Sequence, residues 1–439
     1  MHAQGFGATA VAARLLSEYH LPGEDTTQIL FDEKYPAVDI GRALLDVYSA
    51  TAQQAANWLH AAGMISTDTA QVLAVVYGLG ATDAARVLRL AAYNVNEVYA
   101  ALKAVFHLVR EDAEDVLVAA GFTADEAFRA ILPDLLTWYD GLIQHYGPTV
   151  YLHPSEPYKM SGIDWFLGRV SLQYEAGGQV LTYNDPSNTV TSSSIGSIVD
   201  QLKTQGGTNF WLGAVEQFSD PVKAGDQSSA RARVHVVRLR DTGYTDFQFW
   251  FWYPYNGPGT FHMRTTISTD WDYTTWEVGQ NPADYGNAHP LGEHYSDWEN
   301  IVLRTDTRTG ALIGAFMSEH GDYVPYFVQT NGLSLDAAGH VTAFASLNGH
   351  ANYPAVGDNG NVLKQGGFDQ LKGFFSFELF AELRNYTAYS SASLSAYTNY
   401  AIDGVDKYFL DPKPPKTNLI APSETLPASP LLRFQCLHS

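Results

Sequence analysis

AVDIGRALLDVYSATAQQAANWLHAAGMI (37–65) is one period of a repeat. Within it, VDIGRALLDVY and TAQQAANWLHAAG place apolar residues at i, i+3 and i+4, which lines one face of a helix, and the Thr at the start of the second segment can cap it. Displaced by 29 residues, the same columns recur: Leu15, Leu44, Leu73 and Leu102; Tyr19, Tyr48, Tyr77 and Phe106; Leu30, Leu59, Leu88 and Leu117; with Tyr35, Met64, Tyr93 and Phe122 closing each unit. Four copies and a partial fifth, ending near Ile131 and Leu135, read as helical hairpins. One hairpin alone cannot bury its apolar face, so the units stack into a short α-solenoid, predicted over residues 1–140. Such an array suits a protein partner or a homo-oligomer, and equally a passive cap.

From about residue 148 the texture changes. VYLH, VSLQYE, QVLTY, RARVHVVRL, FQFWFWY, ENIVLR, ALIGAFMS, YVPYFVQ and VTAFASL are short β-branched and aromatic runs set off by Gly, Asn, Asp and Pro. They predict a mainly antiparallel β-sandwich over 141–410. FQFWFWY lacks alternation, so it is expected to be buried on both faces as core rather than to form a membrane-facing belt. LKGFFSFELFAELRNY (371–386) suits a late helix or a strand pair. The remaining 411–439, with six prolines in the twenty residues of DPKPPKTNLIAPSETLPASP, is expected to be an extended strap or tail.

Composition narrows the function. The chain has 439 residues, 46% of them apolar, enough for two or three domains with real cores. Its 26 basic and 47 acidic side chains leave a formal charge of −21, which repels phosphate backbones and argues against nucleic acid as a partner. An anionic membrane would need a local basic patch or a bridging cation. Cys436 is the lone cysteine, which excludes an internal disulfide and any multi-cysteine metal site. No run approaches the roughly 18 apolar residues of a membrane helix, and the first twenty residues lack a basic front and a clean apolar core. The reading is therefore of a soluble chain, secreted or membrane-associated by preference, with no cleavable signal visible. GFGATA (5–10) mimics a dinucleotide loop, yet no strand precedes it and its surroundings belong to the helical repeat. Asn385-Tyr386-Thr387 is a single sequon.

The chemistry concentrates between His262 and Asp322, where ten carboxylates face three arginines and no lysine. Such an excess of oxygen donors is costly unless solvated or offset by a metal. At its centre lies GEHYSDWENIVL (292–303). If ENIVLR is a strand, Asp297 and Glu299 project from one face about 7 Å apart, with His294 in the loop just before, so the three can converge on one ion. Ca²⁺ or Mg²⁺ suits the oxygens best; Mn²⁺ or Zn²⁺ would use the imidazole. A solvated acidic loop is the equally weighted alternative. Trp298 should point away into the core. Glu319, His320 and His350 follow strands and could add ligands or line a cleft, or merely satisfy local backbone groups.

YGPTVYLHPSEPYKMSGIDWFL (146–167), FWYPYNGPGT (251–260), GEHYSDWENIVLR (292–304), SEHGD (318–322) and NGHANYP (348–354) resemble, in order, the successive blocks of the vacuolar protein sorting-associated protein 62 family, over about 146–410. A weaker resemblance links His294, Asp297 and Glu299 to the necrosis-inducing cytolysins, whose Gly-His-Arg-His-Asp-Trp-Glu motif has the same H-x-x-D-x-E spacing. Ser296 replaces that motif's second His, Glu293 stands at its leading Gly, and the preceding loop is longer. This second resemblance implies a divalent cation held by His294, Asp297 and Glu299, with Asp284 as a fourth ligand, and recognition of a membrane lipid or sugar head group. The function expected is cation-dependent membrane or glycolipid recognition of a cytolytic, toxin-like kind, pore formation included. A metal-dependent hydrolase with Glu319 or His320 as base, and an intracellular trafficking scaffold working through the repeats, are the alternatives.

Overall fold

The structure, a computed structural model, describes residues 5–153, 156–212, 220–239, 242–257, 260–261, 264–269, 272–277, 286–287, 294–319, 322–328, 332–355, 357–358, 363–364, 376–378, 380–381, 384–385 and 397–402. The chain divides into two compact units, Met1–Gly141 and Leu142–Ser439. The Pro-rich segment expected as a strap or tail, 411–439, lies outside the described residues.

The first unit is built from α1 (Ala8–Tyr19), α2 (Gly23–Asp32), α3 (Ala37–Tyr48), α4 (Ala52–Ala61), α5 (Ser66–Val75), α6 (Ala81–Leu90), α7 (Val95–Phe106), α8 (Arg110–Ala119) and, as far as Gly141, α9 (Ala124–Tyr146). Odd-numbered helices start 29 residues apart, and so do even-numbered ones. The two leucine columns read from the sequence are buried in every copy. Odd helices stack on odd and even on even, so the apolar face of each hairpin is closed by its neighbours. Polar caps precede helices of both kinds: Thr51 with Gln54 at α4, Asn94 with Glu97 at α7, and Thr123 with Glu126 at α9, each a reciprocal side-chain to backbone pair. The helix α9 runs past Leu135 and through Pro133 because Leu135, Tyr139, Leu142 and Ile143 keep helical spacing and are buried.

The turns repeat as faithfully as the helices. His20, Ser49, Gly78 and His107 all have positive φ, at 53°, 53°, 66° and 57°; so do Gly5, Lys34, Gly63, Ala92 and Gly121, at 80°, 63°, 86°, 72° and 102°. Left-handed backbone at these corners turns the chain back, and any Cβ there is strained.

The second unit comprises β1 (Thr149–Tyr151), β2 (Leu172–Ala176), β3 (Gln179–Thr182), β4 (Thr208–Leu212), β5 (Ala232–Leu239), β6 (Tyr244–Asn256), β7 (Thr260–Phe261), β8 (Arg264–Thr269), β9 (Asp272–Glu277), β10 (Gly286–Asn287), β11 (His294–Asp306), β12 (Leu312–Glu319), β13 (Asp322–Phe327), β14 (Thr342–Ala345) and β15 (Asn352–Tyr353). Further along are β16 (Gly357–Asp358), β17 (Leu363–Lys364), β18 (Ser376–Glu378), β19 (Phe380–Ala381), β20 (Arg384–Asn385) and β21 (Tyr397–Ile402). The helices α10 (Ile163–Leu167), α11 (Ile195–Thr204) and α12 (Asp220–Ala224) accompany them. The segment 371–386, open between helix and strands, thus contributes strands. The main sheet has order β13-β12-β11-β6-β5-β21, with β21 parallel to β5; a smaller one has order β1-β14-β15, with β1 parallel to β14. The other described ladders are antiparallel.

Strand β6, at the middle of the main sheet, is buried from Thr245 to Asn256 because both of its faces are covered. On one face Trp250, Trp252 and Trp298 pack edge to face, and Phe166 of α10 lies 5.2 Å from Trp252. Phe166, Trp252 and Trp298 form one apolar cluster with Ile195, Ile198 and Val199 of α11. Trp298 therefore anchors the core, as its place between two carboxylates predicts. The other face carries Phe249, Phe251, Tyr253, Ile301 and Leu303, and β15 of the smaller sheet lies against β11 and β12 there. A buried bidentate pair, Arg304 Nε to Asp246 Oδ1 at 2.8 Å and Nη2 to Oδ2 at 2.9 Å, locks the register of β6 on β11 at its far end.

Two substitutions test the repeat packing. A Cβ at Gly41 would run into the side chain of Val72, so Gly41→Leu should lower unfolding free energy by about 1–3 kcal/mol in denaturant titration. Ala92→Gly relieves the one alanine in the left-handed columns and should raise it by about 0.5–1 kcal/mol.

Candidate functional site

Asp297 and Glu299 lie two residues apart on β11, opposite Tyr253 and Phe251 of β6, so strand alternation puts both carboxylates on the face that the smaller sheet approaches. His294 is itself part of β11, paired with Asn256, rather than in the loop before it; the ladder with β6 extends that far. The side chains of His294 and Glu319 lie outside the described residues, as do Asp284 and His320 altogether. Glu319 ends β12 and pairs with Asp322 across the hairpin.

His350 does not line a cleft. It is fully buried, delivered by the turn between β14 and β15. Asn348 and His350 both have positive φ, 65° and 56°, strain that the surroundings must hold in place. Two backbone contacts do so: Gly257 N–H donates to Asn348 C=O at 2.9 Å, and Asn348 N–H donates to Glu156 Oε2 at 2.6 Å. Gly257 has no room for a side chain, since a Cβ would overlap the Tyr158 ring.

The His350 ring sits between two acids. Its Nδ1 lies 3.4 Å from Asp297 Oδ2, its Nε2 donates to Tyr158 C=O at 3.0 Å, and Glu156 Oε1 is 3.5 Å from the same Nε2. With acceptors at both nitrogens, the ring is an imidazolium. Burial alone would push its pKa down; Glu156 and Asp297 outweigh that and hold it up at about 10. The ring also stacks flat on Tyr253, centroids 3.8 Å apart at 12°. Burial, then Glu299, Glu156 and Asp297, push the Tyr253 phenol far above its ordinary value, so it stays protonated. Its hydroxyl has no hydrogen-bond partner among the described residues.

Four blocks of the sequence thus meet here: Glu156 and Tyr158, Tyr253 and Gly257, Asp297, and Asn348 with His350. Glu156 and Tyr253 were not among the sequence candidates. Glu156 had one signal, a carboxylate set in an aromatic and proline-rich stretch, LHPSEPY. Among the described residues, no three His, Cys, Asp or Glu side chains are arranged to hold a metal ion; Asp297 and Glu156 converge instead on the imidazolium.

Removing the ring strands two buried carboxylates, so His350→Ala should cost about 3–5 kcal/mol of stability. The pH dependence has a definite sign. A folded pKa raised above the ordinary histidine value means that the stabilisation is complete below about pH 6.5 and is lost as pH rises through about 10. Denaturant midpoints of the wild type should fall across that window, and those of His350→Gln should be flatter there.

The family model for vacuolar protein sorting-associated protein 62 matches residues 118–400. It begins inside α8 and so takes in α9 as well as most of the β-sheet unit, further toward the N-terminus than the blocks starting at 146. No curated protein matches the chain. Among solved structures, it is similar to Necrosis and Ethylene inducing Protein 2 from the causal agent of cocoa's Witches Broom disease, at 13% identity over 58% of this chain and 76% of that one, with a TM-score of 0.23. A structure described as a toxin fold as basis for microbial attack and plant defense shares 11% identity over 62% and 87%, with a TM-score of 0.24. NLPPya in complex with glucosamine shares 10% over 61% and 85%, with a TM-score of 0.22.

Proposed function

The chain belongs to the vacuolar protein sorting-associated protein 62 family, and on that premise we propose that its β-sheet unit recognises a membrane lipid or sugar head group through a divalent cation. The ligands in this reading are Asp297 and Glu299, with Asp284 as a further donor; position 294, at an odd spacing from both on the same strand, falls on the opposite face and is left out of the set. The observation that supports it is a charge imbalance. Glu156 and Asp297 share a single imidazolium, which leaves the trio one negative charge in excess. A buried excess of that sign is costly, and a cation at its edge would offset it.

The donor chemistry fits a hard ion. Asp297 meets His350 through Oδ2, and its side chain is 12% exposed where His350 is closed off entirely, so the carboxylate spans from the buried knot toward solvent. Two carboxylates on one strand face favour Ca²⁺ or Mg²⁺. When bound, the ion supplies a positive charge that can bridge to phosphate or hydroxyl oxygens of a head group, on a chain that otherwise repels them. The protein's own part is positional. Glu156 fixes the imidazolium, the imidazolium fixes Asp297, and Tyr253 floors the ring. The D-x-E pair shared with the necrosis-inducing cytolysins supports the two carboxylates as ligands and a membrane target. His350, buried and held as a cation near neutral pH, is not disposed to act as a general base, which disfavours it in a hydrolytic role.

Titration calorimetry of chelator-treated protein with Ca²⁺, Mg²⁺ and Mn²⁺ should give a saturable isotherm that weakens at least tenfold in Glu299→Gln. Co-sedimentation with vesicles containing glycosylated sphingolipid should then require the same ion. Flat isotherms for all three metals would remove the mechanism.

A further inference from the structure

Polar side chains interrupt the layer between the main sheet and the smaller one beside His350. Tyr151 and Phe344 stack on the outer face of the smaller sheet, centroids 5.4 Å apart, so strand alternation turns Ala343, Ala345 and Asn352 inward. There β15 lies against β11 and β12, where Ile301, Ala315 and Met317 are buried. Asn352, directly opposite Ala345 on its ladder, is 0% exposed, and neither its Oδ1 nor its Nδ2 has a hydrogen-bond partner among the described residues. The same holds for the hydroxyl of Tyr253, also 0% exposed. Both groups flank His350: Tyr253 carries the ring, and Asn352 follows it by two residues. Glu299, Glu156 and Asp297 are the charges that act on the Tyr253 hydroxyl, which sets it at the acidic end of the layer. Polar atoms sealed from solvent forfeit their hydration, and native folds rarely leave them unmet.

We propose that ordered water is bound between the two sheets, bridging Tyr253 Oη and the Asn352 amide. The chemistry of the three atoms selects this guest. The phenol O–H and the amide Nδ2–H donate, and Oδ1 accepts. A metal ion cannot meet the Nδ2–H donor, and the carboxylates that act on Tyr253 repel an anion. Full burial excludes anything large. A small neutral molecule that both accepts and donates satisfies all three atoms, and water is that molecule. Its short neighbours, Ala345 opposite Asn352 and Ala343 and Ala315 in the same layer, match a guest of that size. Since β15 and β6 belong to different sheets, no backbone ladder joins them, and the water supplies a hydrogen-bonded link between them beside the imidazolium.

A double-mutant cycle on the full chain reads the water through stability. Tyr253→Phe and Asn352→Leu nearly conserve volume, and each should lower the thermal midpoint by a few degrees. The double variant should lose less than the sum, because the second change finds the water already gone. Groups that were merely unmet would behave in the opposite way, since exchanging an unpartnered buried polar atom for an apolar one raises the midpoint. A crystal structure of the wild type gives the direct reading and decides the matter even if a variant does not fold. Density for water should lie within about 3.2 Å of Tyr253 Oη and of an Asn352 amide atom. Midpoints that rise in both single variants, losses that simply add, or well-resolved density with no water at these atoms would overturn the proposal.

Discussion

The β-sheet unit hangs on the ladder between β6 and β11, which runs from Tyr244 with Asp306 to Asn256 with His294. A ladder this long fixes parity: a slip of one residue would send every side chain to the opposite face. Arg304 and Asp246 secure one end by a fork that only the observed register closes. That register sends Trp298 into the tryptophan cluster and Asp297 toward His350. The acidic face exists only because the aromatic one is packed.

Much of this was legible because apolar spacing is a local signal. The 29-residue columns marked the helical hairpins, and the β-branched and aromatic runs marked the strands, including the burial of Phe247 to Tyr255 on both faces. Asp297 and Glu299 on one strand face follow from the period of two. What could not be read was the partner of each charge. Glu156 and His350 are 194 positions apart and meet only because the segment after β1 and the turn after β14 both cross the end of β6. No periodicity encodes that meeting. The same holds for the left-handed turns at Lys34 and Ala92, where residue type gives no hint of the backbone and only the 29-residue register does.

The two units obey different logics of stability. In the first, each hairpin contacts its neighbours in sequence, so free energy accrues unit by unit. In the second, β21 adds to β5 and β14 adds to β1 across long stretches of chain, so closure of large loops precedes most of the gain. The helical array is accordingly expected to form early and the sheets late.

The fidelity of the turns has a consequence for the length of the array. Because helix starts and left-handed corners recur at one interval, any window of 29 residues begins and ends on equivalent backbone. Duplication or loss of such a window leaves every surviving contact with a counterpart of the same shape. The array can therefore gain or lose length only in whole modules without disturbing the packing inside each hairpin.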